Sequence, residues 1–212
     1  MINVRLLKSY KDYVNRIMQI KICGLFQVED IDYVNEAKPD YVGFVFAKSK
    51  RQVDIHQAEK LKNKLDTNIK AVGVFVDEQI SEITAIVKMG IIDLIQLHGH
   101  EDNAYIKQLV QMPIIKAIKV IEKDDLNNLD YECDYYLLDS KISGSGKSFD
   151  WSLIKDLDKP FFLAGGIDLD NLDEAMSKAD YGIDVSSGVE TNGIKDRNKI
   201  IEIVRRTKNG NR

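Results

Sequence analysis

The chain has 212 residues and 24.2 kDa, enough for one domain with a sizeable core. Its net charge of −4 and pI near 5.5 exclude a nucleic-acid binder driven by phosphate charge, and no apolar run is long enough to span a membrane. Two cysteines, Cys23 and Cys133, are too few for a disulfide scaffold and fit a reducing cytoplasm. Residues 1–17 stand apart: Arg5, Lys8, Lys11 and Arg16 face only Asp12, and Leu6, Tyr10, Val14 and Ile17 recur at helical spacing. The segment reads as an N-terminal extension, a short helix under the fold, or as a mis-assigned start, with Met18 directly before the first strand.

From Gln19 onward strands and helices alternate. Strands are predicted at Gln19–Cys23, Tyr41–Phe46, Ala71–Val76, Leu94–Leu97, Ile114–Val120, Tyr135–Leu138, Phe161–Ala164 and Ile183–Val185. Between them helices are predicted at Glu29–Ala37, Asp54–Leu65 with Asp54 as cap, Ser81–Met89, Asn103–Gln111, Asp124–Leu129, Trp151–Leu157 and Asn171–Ser177, and Asp196–Arg206 closes the chain. The strands are nearly continuous apolar runs, as in a parallel sheet covered on both faces. Eight such units predict an α/β fold, a single-domain (β/α)₈ TIM barrel of parallel strands over residues 18–212. A doubly wound open sheet explains the alternation but not eight units.

The last two strands end abruptly in small residues, Gly165-Gly166 and Ser186-Ser187-Gly188. Backbone N–H groups without a Cβ in the way, joined by serine hydroxyls, suit a phosphate dianion. This is where (β/α)₈ barrels build a phosphate grip. Reactive groups are then sought at other strand ends, where barrel active sites lie. The first strand ends in Cys23, the fourth in His98 and the sixth in Asp139, and the second leads into Lys48-Ser49-Lys50-Arg51. Cys23 as a base must be a thiolate. Lys21 and Asp184 share its inward parity, so a Lys21–Asp184 pair is expected beneath it, with Lys21 favouring the thiolate.

Asp139 as an acid must be held protonated, and a loop of Ser143-Gly144-Ser145-Gly146 is suited to closing over it. Arg51 can grip a substrate carboxylate with its guanidinium fork. His98 is read as structural, His56 and His100 as surface residues, Cys133 as inert, and Trp151 as a helix anchor. No metal or nucleotide fingerprint is present, so cofactor-free proton transfer on a small sugar phosphate that also carries an acid group is expected.

The segments Lys21-Ile22-Cys23-Gly24, Gly43-Phe44-Val45-Phe46, Gln96-Leu97-His98-Gly99, Leu137-Leu138-Asp139, Gly144-Ser145-Gly146-Lys147-Ser148-Phe149-Asp150-Trp151, Leu163-Ala164-Gly165-Gly166-Ile167 and Asp184-Val185-Ser186-Ser187-Gly188-Val189-Glu190 occur in order. Together they resemble the phosphoribosylanthranilate isomerase family of tryptophan biosynthesis, from Met18 to about Lys208. The resemblance implies an Amadori rearrangement with Asp139 as general acid and Cys23 as general base. It also implies Arg51 at the anthranilate part, and Gly144, Gly165, Gly166, Asp184, Ser186, Ser187 and Gly188 around the substrate. The loop after Asp139 departs from many relatives, which carry a longer segment and a double glycine there. A histidine-pathway isomerase barrel is the rival enzyme, but that reaction usually pairs two aspartates, and Cys23 argues against it. A non-catalytic phosphate-binding barrel would not need Cys23, Asp139 and Arg51 together. No cofactor or metal, no membrane or nucleic-acid partner, and a monomer or homodimer are expected.

Overall fold

The apolar strand runs find partners on both faces. In the computed structural model, which describes residues 18–109, 111–140 and 148–210, the strands are β1 Gln19–Cys23, β2 Tyr41–Val45, β3 Lys70–Phe75, β4 Leu94–Leu97, β5 Ile114–Val120, β6 Tyr135–Ser140, β7 Phe161–Leu163 and β8 Gly182–Val185. Among the described residues these eight form one closed barrel in sequence order. Closure is made by β1 against β8, parallel, with Lys21 opposite Asp184 and Ile22 opposite Val185. Outward residues such as Ile20, Ile22, Val42 and Phe44 join the main core, whereas Tyr41, Val72, Leu94, Ile115, Leu137 and Phe162 fill the interior. An aromatic plug closes the lower end. Tyr41 meets Phe162 edge-on at 5.5 Å, Phe162 meets Tyr181 at 5.0 Å, and the Tyr41 and Tyr181 hydroxyls lie 2.7 Å apart. Among the described residues, the cavity lined by strand ends opens at the C-terminal end of the barrel.

The helices are α1 Val28–Ala37, α2 Ile55–Lys64, α3 Ile80–Lys88, α4 Asn103–Ile106, α5 Leu172–Lys178 and α6 Arg197–Asn209. Asp54 caps α2 by accepting from the Gln57 N–H at 2.7 Å, and Asp196 caps α6. Three predicted helices shrink. Asn103–Gln111 divides into α4 and a 3₁₀ turn at Lys107–Leu109 ahead of Pro113. Asp124–Leu129 and Trp151–Leu157 become 3₁₀ turns at Lys123–Leu126 and Trp151–Leu153. Asp and Asn at 124, 125, 127 and 128 are poor helix formers, and one buried anchor each, Leu126 and Trp151, suffices to cover the barrel there.

A hairpin absent from the sequence reading follows β8: β9 Glu190–Thr191 pairs with β10 Ile194–Lys195. Its turn is Asn192-Gly193, both at positive φ, the strongest short hairpin signal a sequence carries. No helix among the described residues is long and apolar enough to cross a membrane. Residues 1–17 and Gly144 lie outside the described residues.

Candidate active site

Alternation along the strands decides which side chains reach the barrel mouth. Lys21 and Cys23 point inward from β1, Gln96 and His98 from β4, Lys119 from β5, Asp139 from β6 and Asp184 from β8. A cavity of about 380 Å³ opens among them at the C-terminal end. Cys23, Arg51, Asp139, Gly165, Gly166, Asp184, Ser186 and Ser187, all singled out from the sequence, line this one cavity. Val45, Val74 and Val76 form its apolar wall on the side of β2 and β3.

Cys23 is 8% exposed, and Lys21 below it donates to Asp184 Oδ1 at 2.9 Å. The expected pair is therefore present. Its expected effect on the thiol is outweighed. Burial pushes the Cys23 thiol up; Lys21 pulls it down by less, and Asp184 adds to the rise, so the thiol lies above its ordinary value. For Lys21, burial alone would lower the ammonium, but Asp184 and Cys23 together hold it above the usual range.

Space for the thiol comes from the neighbouring strand. A Cβ on Gly43 would stand 2.6 Å from Cys23 Sγ. Gly43→Ala is expected to displace the thiol, destabilise the fold by about 1–3 kcal/mol through overpacking, and lower activity. Denaturant midpoints together with steady-state rates test this; an unchanged rate would show that the thiol position is not critical.

Asp139 is 6% exposed. Its Oδ1 accepts from the Ser140 N–H at 2.8 Å, and its Oδ2 lies 3.2 Å from His98 Nε2. The Gln96 amide nitrogen lies 3.0 Å from His98 Nδ1, which holds the ring with its Nε2 edge toward Asp139. His98 thus belongs to the acid's surroundings, a placement the sequence reading missed. Strand parity was the available signal, since His98 shares its face with Gln96.

The two small-residue turns face this acid and thiol. Gly165 has φ 86°, and a Cβ there would lie 2.8 Å from Asp139 Oδ1, so the missing side chain is what lets the β7 turn approach the carboxylate. The Asn171 amide donates to Gly166 O at 2.8 Å and holds the turn. Gly188 packs against the Ile167 carbonyl, so the turns after β7 and β8 touch backbone to backbone. Ser186 Oγ donates to Cys23 O at 3.0 Å, tying the second turn to the thiol's strand, and Ser187 opens a 3₁₀ turn to Val189.

Arg51 differs from expectation. Its Nε and Nη2 donate to Glu190 Oε1 and Oε2 at 2.6 and 2.7 Å, so one edge of the fork is already closed. Lys195, 3% exposed, donates to the same carboxylate at 2.8 Å and to Ser186 O at 2.9 Å. Burial lowers Lys195, whereas its two cations hold Glu190 below the usual carboxylate range despite burial. The hairpin β9–β10 brings these groups together, and no spacing in the sequence could give their reach. Cys133 is buried away from the cavity, its thiol pushed up to about 11 by burial. His56 and His100 are at the surface, as read.

A closed parallel barrel with a thiol and a carboxyl set on either side of paired glycine–serine turns defines a (β/α)₈-barrel enzyme of the acid–base type. Residues 20–206 match the family described as N-(5'phosphoribosyl)anthranilate (PRA) isomerase, and the chain belongs to that family. The N-(5'-phosphoribosyl)anthranilate isomerase of Endomicrobium trichonymphae is 49% identical over 195 residues, covering 88% of this chain and 96% of its own length. The crystal structure of the phosphoribosyl anthranilate isomerase of Thermotoga maritima superposes with a TM-score of 0.81 at 34% identity, covering 91% of this chain and 99% of its own. A further phosphoribosyl anthranilate isomerase, solved in complex with reduced 1-(o-carboxyphenylamino)-1-deoxyribulose 5-phosphate, gives a TM-score of 0.79 at 33% identity, over 90% of this chain and 98% of its own.

Proposed function

We propose that this chain is a phosphoribosylanthranilate isomerase, converting N-(5'-phosphoribosyl)anthranilate to 1-(2-carboxyphenylamino)-1-deoxyribulose 5-phosphate. The observation that carries the reading is the meeting of Cys23, Asp139 and both small-residue turns in one cavity, in a chain of this family. Asp139 acts as the general acid. It protonates the furanose ring oxygen, the ring C–O bond breaks, and the nitrogen lone pair closes a Schiff base. Cys23 acts as the general base. Its thiolate takes the C2′ proton, the electrons move into the Schiff base, and the resulting enolamine tautomerises to the product. The two groups thereby exchange protonation states within one turnover.

The environments support these roles unequally. A buried thiol with a raised pKa is a strong base once ionised, and Lys21 beneath it limits the penalty of forming the thiolate. Asp139, placed by Ser140 N–H and beside His98, is the acid that gives its proton to the ring oxygen as the ring opens. Gly165, Gly166, Ser186 and Ser187 hold the phosphate through backbone N–H groups and hydroxyls, and Gly188, expected there from the sequence, packs behind them against the Ile167 carbonyl. Asp184 supports the base through Lys21, and Arg51 keeps Nη1 for a contact to the anthranilate part. Gly144 is assigned to the substrate by the resemblance alone.

The experiment is direct. Phosphoribosylanthranilate supplied to the purified chain is expected to lose its fluorescence with saturable kinetics. The gene is also expected to restore growth of a tryptophan-requiring strain lacking this step. Sugar-phosphate binding without turnover would instead favour a non-catalytic barrel.

A further inference from the structure

The mechanism proposed above makes no use of Lys195. This residue stands directly opposite Glu190 in the β9–β10 hairpin, and its side chain is fully buried. Its Nζ donates to Glu190 Oε1 at 2.8 Å and to Ser186 O at 2.9 Å, while Arg51 donates to both oxygens of the same carboxylate. Two cations sharing one carboxylate leave a net positive charge. Such a charge is costly to bury unless a neighbouring anion gains from it.

The contacts lead from this cluster to the thiol. Ser186, whose carbonyl Lys195 holds, donates through Oγ to Cys23 O at 3.0 Å. Gly24 follows Cys23 with φ 79°, and a Cβ there would stand 2.5 Å from Arg51 Cδ and 3.3 Å from Ser186 Oγ. The cluster therefore packs against the end of β1 that carries Cys23.

Other charged or titratable groups about the thiol are Lys21 beneath it, Asp184 on β8, and Lys48, His98, Lys119 and Asp139 in the cavity wall. Burial pushes the thiol up; Lys21 opposes this most, and Lys195 opposes it too. Asp30 of α1, raised by burial, also feels Lys195. It accepts from the Phe26 and Gln27 N–H groups and is the same in every variant below.

We propose that Lys195 is a positioning residue for the general base: with Glu190 and Arg51 it keeps one net positive charge beside Ser186 that favours the Cys23 thiolate. This rests on the isomerase reading for the use of the thiolate, whereas thiolate formation is measured without substrate. Iodoacetamide rates against pH are the test, in a Cys133→Ser background where Cys23 is the one thiol of the chain. The plateau of the profile reports access to the thiol, and its position reports ionisation.

Lys195→Met leaves Arg51 and Glu190 as a neutral pair. It is expected to move the profile to higher pH and to slow alkylation about three- to ten-fold at neutral pH, the scale of one charge acting through a partly screened interior. Glu190→Gln leaves two cations and no carboxylate, and is expected to move the profile the other way. Lys195→Met/Glu190→Gln restores one net positive charge, on Arg51, and should bring the profile back toward its original position; it decides the matter even if the Glu190 single variant does not fold. A shift to higher pH in both single variants, or a double variant no better than Lys195→Met, would mean loosened packing and overturn the proposal. So would an unmoved position, which would leave the charge to the phosphate turn. Failure of the unaltered chain to turn over phosphoribosylanthranilate would sink the isomerase reading and leave these profiles standing.

Discussion

Turnover of phosphoribosylanthranilate is expected to fall by about 10²–10⁴-fold in Cys23→Ser and in Asp139→Asn, the contribution typical of a positioned acid or base. Serine keeps the size of the thiol but its hydroxyl does not ionise near neutrality, so the C2′ proton has no acceptor. Asparagine keeps the shape of Asp139, and its carbonyl oxygen can still accept from the Ser140 N–H, but it has no acidic proton for the ring oxygen. Both losses should appear in kcat more than in KM, because the phosphate turns and the apolar wall are untouched. Cys133→Ser is the control. That thiol is buried away from the cavity and pushed up to about 11, so its replacement should leave the rate unchanged. A rate near that of the unaltered chain in either of the first two variants would remove that residue from its assigned role.

Lys21→Met is expected to destabilise the fold by about 3–5 kcal/mol, the cost of stranding one member of a buried ion pair. Lys21 is fully buried and its 2.9 Å contact to Asp184 crosses the β1–β8 closure of the barrel. A Lys21→Met/Asp184→Asn double variant removes the stranded charge and should recover much of that loss. The thiol reports on the same pair. Lys21 lowers the Cys23 pKa, so removing it raises a value that burial has already raised. Because the thiolate is the reacting form, alkylation at any fixed pH becomes slower and its profile moves to higher pH. In the double variant the opposing, smaller effect of Asp184 is also gone, so the profile should return part of the way. Urea midpoints and iodoacetamide rates against pH measure both effects. An unmoved alkylation profile would mean that Lys21 serves the barrel closure and not the base.

The strand boundaries and the site position were legible because their physics is local or periodic. Strands buried on both faces read as apolar runs, and β1, β4 and β5 lie where those runs do. Parity plus closure was enough to join Lys21 to Asp184 across 163 residues. The short 3₁₀ turns after β5 and β6 were not legible as such. Their apolar spacing imitates a helix, while Asp and Asn side chains and a single buried anchor settle them as turns.

The sequence by itself determined an eight-unit parallel barrel, because alternating apolar runs and amphipathic segments have few other ways to bury their surface. It also determined which strand ends carry the thiol, the carboxyl and the small-residue turns. Only the tertiary structure decided the balance at Cys23, where burial outweighs Lys21, since desolvation depends on everything packed around the group. It alone decided that Arg51 turns to Glu190 and Lys195, and that His98 faces Asp139, because long side chains choose partners by reach across strands rather than by spacing along the chain.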